Sequence, residues 1–164
     1  MAETTHKKIK DICTRELITI DADETLDKAG KLMEEKRVSM LVVTEKEKIV
    51  GILTAGAWFN SFYLHVGSHL PQTRFRTERP ALLELQKEKQ LAVKKRAEEF
   101  KKSKVRDVMN RHFKTINENA TLTDATHEMK STELRRLLVV DDHEKIIGVL
   151  GRTKTILALL EELS

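Results

Sequence analysis

Two pairs of basic residues in the last third of the chain carry the strongest chemical signal: Arg135 beside Arg136, then Arg152 with Lys154. A guanidinium is a rigid fork of donors that matches a phosphate, and an ammonium adds a compact charge, so a pocket collecting these groups binds phosphate or a nucleotide held by its phosphates. The same side chains can instead pair with nearby acids such as Asp124, Glu133 and Asp141, and the sequence leaves both readings open. Thr54 and Thr153 stand where helices are expected to begin, so each is either a plain N-cap or a hydroxyl contact to a ligand.

Catalytic patterns are missing. His65, His69, His112, His127 and His143 are scattered over a helix end, loops and polar turns, and none stands with a serine or cysteine in a nucleophile-base pattern. There is no Gly-x-x-x-x-Gly-Lys loop to cradle phosphates, and no zinc-ligand spacing. Cys13, the single cysteine, reads as a small apolar core residue in a reducing compartment. No run approaches the roughly 20 apolar residues of a membrane span, and Met1 to His6 lack the apolar stretch of a signal peptide, so the expected location is the cytoplasm. Apolar residues make up 40% of the chain and charged ones 34%, the balance of a globular α/β protein, and the net charge of +4 does not by itself imply nucleic acid.

An internal repeat supplies the elements that must position these residues. Ile9-Lys10-Asp11-Ile12-Cys13 matches Val105-Arg106-Asp107-Val108-Met109, and Thr25-Leu26 with Ala29 and Met33 matches Thr121-Leu122 with Ala125 and Met129 at the same separation of 96. One residue is then gained, aligning Leu41-Val42-Val43 with Leu138-Val139-Val140 and Ile49-Val50-Gly51-Ile52-Leu53 with Ile146-Ile147-Gly148-Val149-Leu150. Each copy predicts a short strand (Leu17 to Ile20, Phe113 to Ile116), a helix opened by a threonine, two adjacent strands joined by a charged turn, and a closing helix from near Thr54 or near Thr153.

That strand-helix-strand-strand-helix order, with Gly just inside the last strand, resembles the CBS domain, the repeat named after cystathionine β-synthase. The resemblance rests on Asp11-Ile12, on Asp107-Val108-Met109 and on Arg136-Leu137-Leu138-Val139-Val140-Asp141 leading to Ile147-Gly148-Val149-Leu150. It implies an α/β (α+β) fold of two repeats related by pseudo-twofold symmetry, a homodimer of two such pairs, and a regulatory rather than enzymatic role. It also implies a ligand held between repeats by a Gly-apolar-x-Thr/Ser-x-x-Asp pattern. The chain departs from that pattern twice: Ala57 stands where the first Asp would be, and Gly151 and Lys154 replace the second hydroxyl and Asp. Arg136 falls where nucleotide-sensing pairs carry a phosphate-binding arginine.

Between the copies lies a segment with more basic than acidic residues from Arg74 to Lys104. Trp58, Phe59, Phe62, Tyr63 and Leu64 continue the first closing helix, Gly67 to Pro71 breaks it, and Pro80 starts a long helix. Leu82, Leu85, Val93, Ala97 and Phe100 give that helix one thin face to pack on its own subunit or a partner's. The Lys94-Lys95-Arg96 and Lys101-Lys102-Ser103-Lys104 clusters are expected to form a solvated, ion-paired face with Glu84, Glu88, Glu98 and Glu99 rather than a nucleic-acid contact.

The sequence is therefore divided as repeat 1 over 8–66, a helical basic insertion over 67–102, and repeat 2 over 103–164. The expected function is sensing of an adenine nucleotide or related phosphate metabolite through Thr54, Arg135, Arg136, Arg152, Thr153 and Lys154. AMP, ADP, ATP and S-adenosylmethionine are the regulatory ligands considered, and no cofactor is obligatory. A ligand-free scaffold with a protein target is the alternative, and a nucleic-acid arm the third reading.

Overall fold

The computed structural model describes residues 6–71 and 80–164, apart from the side chains of 80–83. Two compact units result, one of Ile18–Arg111 and one combining Met1–Leu17 with His112–Ser164. The first contains β1 (Thr19–Asp21), α2 (Leu26–Lys36), β2 (Met40–Glu45), β3 (Lys48–Thr54), α3 (Ala55–His65) and α4 (Pro80–Lys102), and the second α1 (Ile9–Ile12), β4 (Thr115–Asn117), α5 (Leu122–Thr132), β5 (Arg136–Val140), β6 (Ile146–Gly151) and α6 (Arg152–Leu163). Among the described residues no helix is long and apolar enough to cross a membrane.

Local chemistry explains the helix starts. Thr25 and Thr121 cap α2 and α5, accepting from Lys28 N at 3.2 Å and Asp124 N at 3.1 Å, and Asp124 returns the favour to Thr121 N at 3.0 Å. Leu26, Ala29 and Met33, like Leu122, Ala125 and Met129, form the buried stripe of each helix. Each sheet has three strands, with a parallel pair joined by the helix and then an antiparallel hairpin partner, in the orders β1-β2-β3 and β4-β5-β6. The middle strands are buried on both faces at Leu41, Val42 and Val43 and at Leu137, Leu138 and Val139.

Strand pairing moves the one-residue gain between the repeats. Thr19 pairs with Val42 and Thr115 with Leu138, both separations of the second repeat being 96, so Leu41 corresponds to Leu137 and not to Leu138. Thr54 and Gly151, the partners of Met40 and Arg136, differ by 97, which places the extra residue in the β5–β6 hairpin. The apolar run hid this, because shifting Leu-Val-Val by one residue still matches aliphatic to aliphatic, whereas the pleat would turn every side chain over.

The leading segment of each repeat is built into the unit that holds the other repeat's sheet. Thr14 and Val149 exchange backbone hydrogen bonds at 2.9 Å each way, and Asn110 and Ile52 do the same at 2.8 and 2.9 Å. These bridges explain the two strand glycines. A Cβ at Gly148 would lie 2.8 Å from Thr14 O and 2.9 Å from Cys13 Sγ, and one at Gly51 would lie 2.8 Å from Asn110 O and 2.9 Å from Met109 Sδ. Cys13 is thus buried in the second unit's core, matching its expected role. Ion pairs add to the attachment: Lys7 to Glu161 in the second unit, and Arg106 to Asp23 at 2.8 Å and to Glu45 at 3.0 Å in the first.

The central helix begins at Pro80 as expected, and its last turns pack on its own unit. Val93, Ala97 and Phe100 meet α2 and α3, with Phe100 edge-on to Trp58 at 5.8 Å and to Phe62 at 5.6 Å. Leu85 and Leu91 are exposed, so the packed face is confined to the C-terminal half. The Leu82 side chain and residues 72–79 lie outside the described residues. The face is solvated as expected, but of Glu84, Glu88, Glu98 and Glu99, among the described residues only Glu98 forms an ion pair, with Lys101 at 3.5 Å, so the expected ion pairing is sparse.

Several carboxylates lie below their usual range. The Arg106 hydrogen bond lowers Asp23, the Thr121 backbone N–H lowers Asp124, the Lys145 backbone N–H lowers Asp141, and the Lys7 ammonium lowers Glu161. A folded-state value below the unfolded one means the unfolded chain binds more protons in the interval between them. The associated stability is present above the ordinary carboxylate value near 4 and is lost as pH falls through the lowered values. Thermal melts should therefore be level from neutral pH to about 5 and fall below about 4, and Asp124→Asn should flatten that fall without changing its direction.

Candidate functional site

The junction of β5, β6 and α5 determines where the cations go. After α5, Glu133 adopts a left-handed conformation (φ 57°) and turns the chain toward β5. Arg136 pairs with Gly151 across the hairpin, and Arg152 N donates to Arg135 O at 3.1 Å. The Arg152 guanidinium is steadied by a 2.9 Å bond from Nε to Leu134 O. Arg135 and Arg152 consequently line one cleft of about 510 Å³, together with Lys130 and Glu133 from the end of α5. Met129 and Ile156 give it apolar wall, and Thr126 and Thr155 complete it. The Thr155 hydroxyl donates to Gly151 O at 2.9 Å, which turns it onto its own helix.

The other candidates lie elsewhere. Arg136, Thr153 and Lys154 are exposed and do not line the cleft. α6 starts near Thr153 as expected, at Arg152, but the reading of Thr153 as its cap is corrected: Gly151, with extended backbone (φ −96°, ψ 155°), is the N-cap and offers no side chain, so Thr153 lies inside the first turn. Thr54 belongs to the first unit and is a true cap, accepting from Ala57 N at 3.1 Å. Lys130 was not singled out from the sequence, although Thr126, Met129, Lys130 and Glu133 share one helical face and that spacing was the available signal.

Of the acids that could neutralise these cations, Glu133 lines the same cleft without forming an ion pair among the described residues, and the other two are engaged elsewhere. Asp124 is engaged by Thr121 N and Oγ1 at 3.0 and 2.7 Å, and Asp141 by the backbone N–H groups of His143 and Lys145, both at 2.9 Å. Among the described residues Arg135, Arg136, Arg152 and Lys154 take part in no ion pair. Among the same residues no three His, Cys, Asp or Glu side chains come together as a metal site.

The family model of the CBS domain matches residues 9–58 and again residues 105–161. The chain belongs to the CBS domain family. It is 29% identical over 159 residues to the protein MJ1426 of Methanocaldococcus jannaschii, covering 93% of this chain and 90% of that one. Two further relatives from that organism are longer: the chain spans 37% of MJ1232 at 27% identity and 22% of inosine-5'-monophosphate dehydrogenase at 26% identity. Solved structures that share the fold include the following two. CBSX2 of Arabidopsis thaliana in complex with AMP has TM-score 0.59 at 22% identity, covering 96% of this chain and 98% of its own. The CBS domain pair of MJ0100, in complex with 5'-methylthioadenosine and S-adenosyl-L-methionine, has TM-score 0.61 at 17% identity, covering 98% and 100%. Two CBS repeats, each with a three-stranded sheet and two main helices, therefore account for the whole α/β architecture apart from α4.

Proposed function

We propose that this CBS pair is a non-catalytic regulatory module that binds an adenine nucleotide or a related phosphate-bearing metabolite, in the cytoplasm and as a homodimer. The observation that carries the reading is the excess of positive charge around the start of β5 and α6, where Arg135, Arg136, Arg152 and Lys154 form no ion pair among the described residues. The adenine ligands of CBSX2 and MJ0100 support the chemical class. Ala57 and Lys154 stand where the family pattern has its ribose-binding Asp, so recognition shifts from the sugar toward the phosphate. A hydrogen bond to a charged group contributes about 1.5–3 kcal/mol, and lacking one weakens ribose recognition by about ten- to a hundredfold.

Titration calorimetry with AMP, ADP, ATP, S-adenosylmethionine and adenosine is the test. Binding should strengthen with phosphate charge, be weakest for adenosine, and decline as salt is raised. Silence from every one of these compounds would overturn the proposal. A protein-interaction role is the second reading, favoured by the exposed apolar side chains Ile156, Leu157, Leu160 and Leu163 on α6. Recovery of a specific protein target together with that silence would establish it.

A further inference from the structure

The two units repeat one plan and differ sharply in one place. The strand registers put Gly30 in correspondence with Thr126, Glu34 with Lys130, Ser39 with Arg135, Ala55 with Arg152 and Trp58 with Thr155. In the first unit the groove between α2 and α3 is filled by the Trp58 indole, whose Nε1–H donates to Leu26 O at 2.9 Å. The ring lies so close to α2 that a Cβ at Gly30 would come within 2.5 Å of it, and Phe100 packs edge-on from α4. In the second unit the small Thr155 holds the corresponding position. The Leu122 carbonyl, counterpart of the one that Trp58 uses, accepts from Thr126 Oγ1 at 2.8 Å. The groove between α5 and α6 is left as the open cleft, and cations replace Glu34, Ser39 and Ala55 along its edge.

The loss of the filling side chain and the gain of three positive charges thus fall in the same groove. We infer that the α5–α6 groove of the second unit is the seat of a small organic phosphate, with the phosphate held by Lys130, Arg135 and Arg152. The apolar or planar remainder lies against Met129 and Ile156, in the space that the first unit fills with an indole. Glu133 offsets one of the three charges, and the remaining two match a phosphate monoester, which carries about −1.5 to −2 near neutral pH. The inference rests on the regulatory reading above, for which it names the location, and it gives one such seat per chain.

Two variants test it against AMP and inorganic pyrophosphate, with calorimetry for binding, sedimentation for self-association and thermal melts to establish folding. Thr126→Gly combined with Thr155→Trp transplants the first unit's filling. Arg135→Glu reverses an exposed charge and leaves the core untouched. The expected result is that AMP binding is lost in the filled variant and that both probes weaken by at least about tenfold in Arg135→Glu. Unchanged AMP affinity in both variants would overturn the seat while leaving the regulatory function standing. Binding of pyrophosphate but not AMP, with loss in Arg135→Glu, would uphold the seat and overturn the adenine reading. A wild-type chain that binds neither probe would end both. Altered self-association with unchanged ligand affinity would make the groove an interface between copies and overturn the seat.

Discussion

Ile9→Asp should unfold the second unit. Ile9 is fully buried among Ala125, Met129, Leu137, Val139 and Leu150, although it lies more than a hundred residues from them in the chain. Removing such a side chain alone costs about 2–5 kcal/mol, and a carboxylate without a partner adds a desolvation penalty that the core cannot answer. Domains of ordinary size retain about 5–15 kcal/mol in total, and a unit this small stands toward the lower end. The milder Ile9→Ala should lower the melting temperature by roughly 10–30 °C, while Ile9→Asp should abolish slow amide exchange in β4, β5 and β6. Retained protection of those strands in Ile9→Asp would show that the leading segment is not part of that core.

Trp58→Ala should destabilise the first unit by several times the cost of the matching change in the second. Large aromatic to alanine changes cost about 3–5 kcal/mol at fully buried positions, and the half-buried Trp58 falls toward the lower end, with the edge-on contact to Phe100 contributing about 0.5–1.5 kcal/mol beyond area burial. The Leu26 carbonyl also loses the indole N–H. Because Phe100 is a contact between α4 and the body of the unit, amide exchange over the last two turns of α4 should accelerate in step with the loss in denaturant midpoint. Thr155→Ala, at the corresponding place in α6, removes far less and should cost about 1 kcal/mol. A Trp58→Ala cost no larger than that of Thr155→Ala would contradict the difference in groove filling on which the ligand seat depends.

The elements themselves are written locally. Thr25 and Thr121 read as helix starts because a threonine before a three-and-four apolar spacing has the same effect in any context, and the sequence also locates Pro80 as the start of α4. The strand glycines are equally visible, since Gly51 and Gly148 recur at matching places, but only the folded chain shows the backbone of Asn110 or Thr14 arriving where a Cβ would stand. The start of α6 is legible to within one residue but its cap is not, because Thr153 is a better cap by type than Gly151 and the β-hairpin register overrides that preference.

The candidate site was half legible. Arg135 and Arg152 stand out by type, yet what brings them together is the antiparallel pairing of Arg136 with Gly151, and what adds Lys130 is the packing of α5 beside α6. By itself the sequence determined the two repeats, their strands and helices, and a surplus of cations in the second, because these follow from residue type and short-range period. Tertiary structure decided which leading segment completes which core, where the extra residue falls, and that Trp58 fills one groove while Thr155 leaves the other open. Those outcomes depend on contacts between residues far apart in the chain, and a local pattern carries no record of the neighbour it will meet.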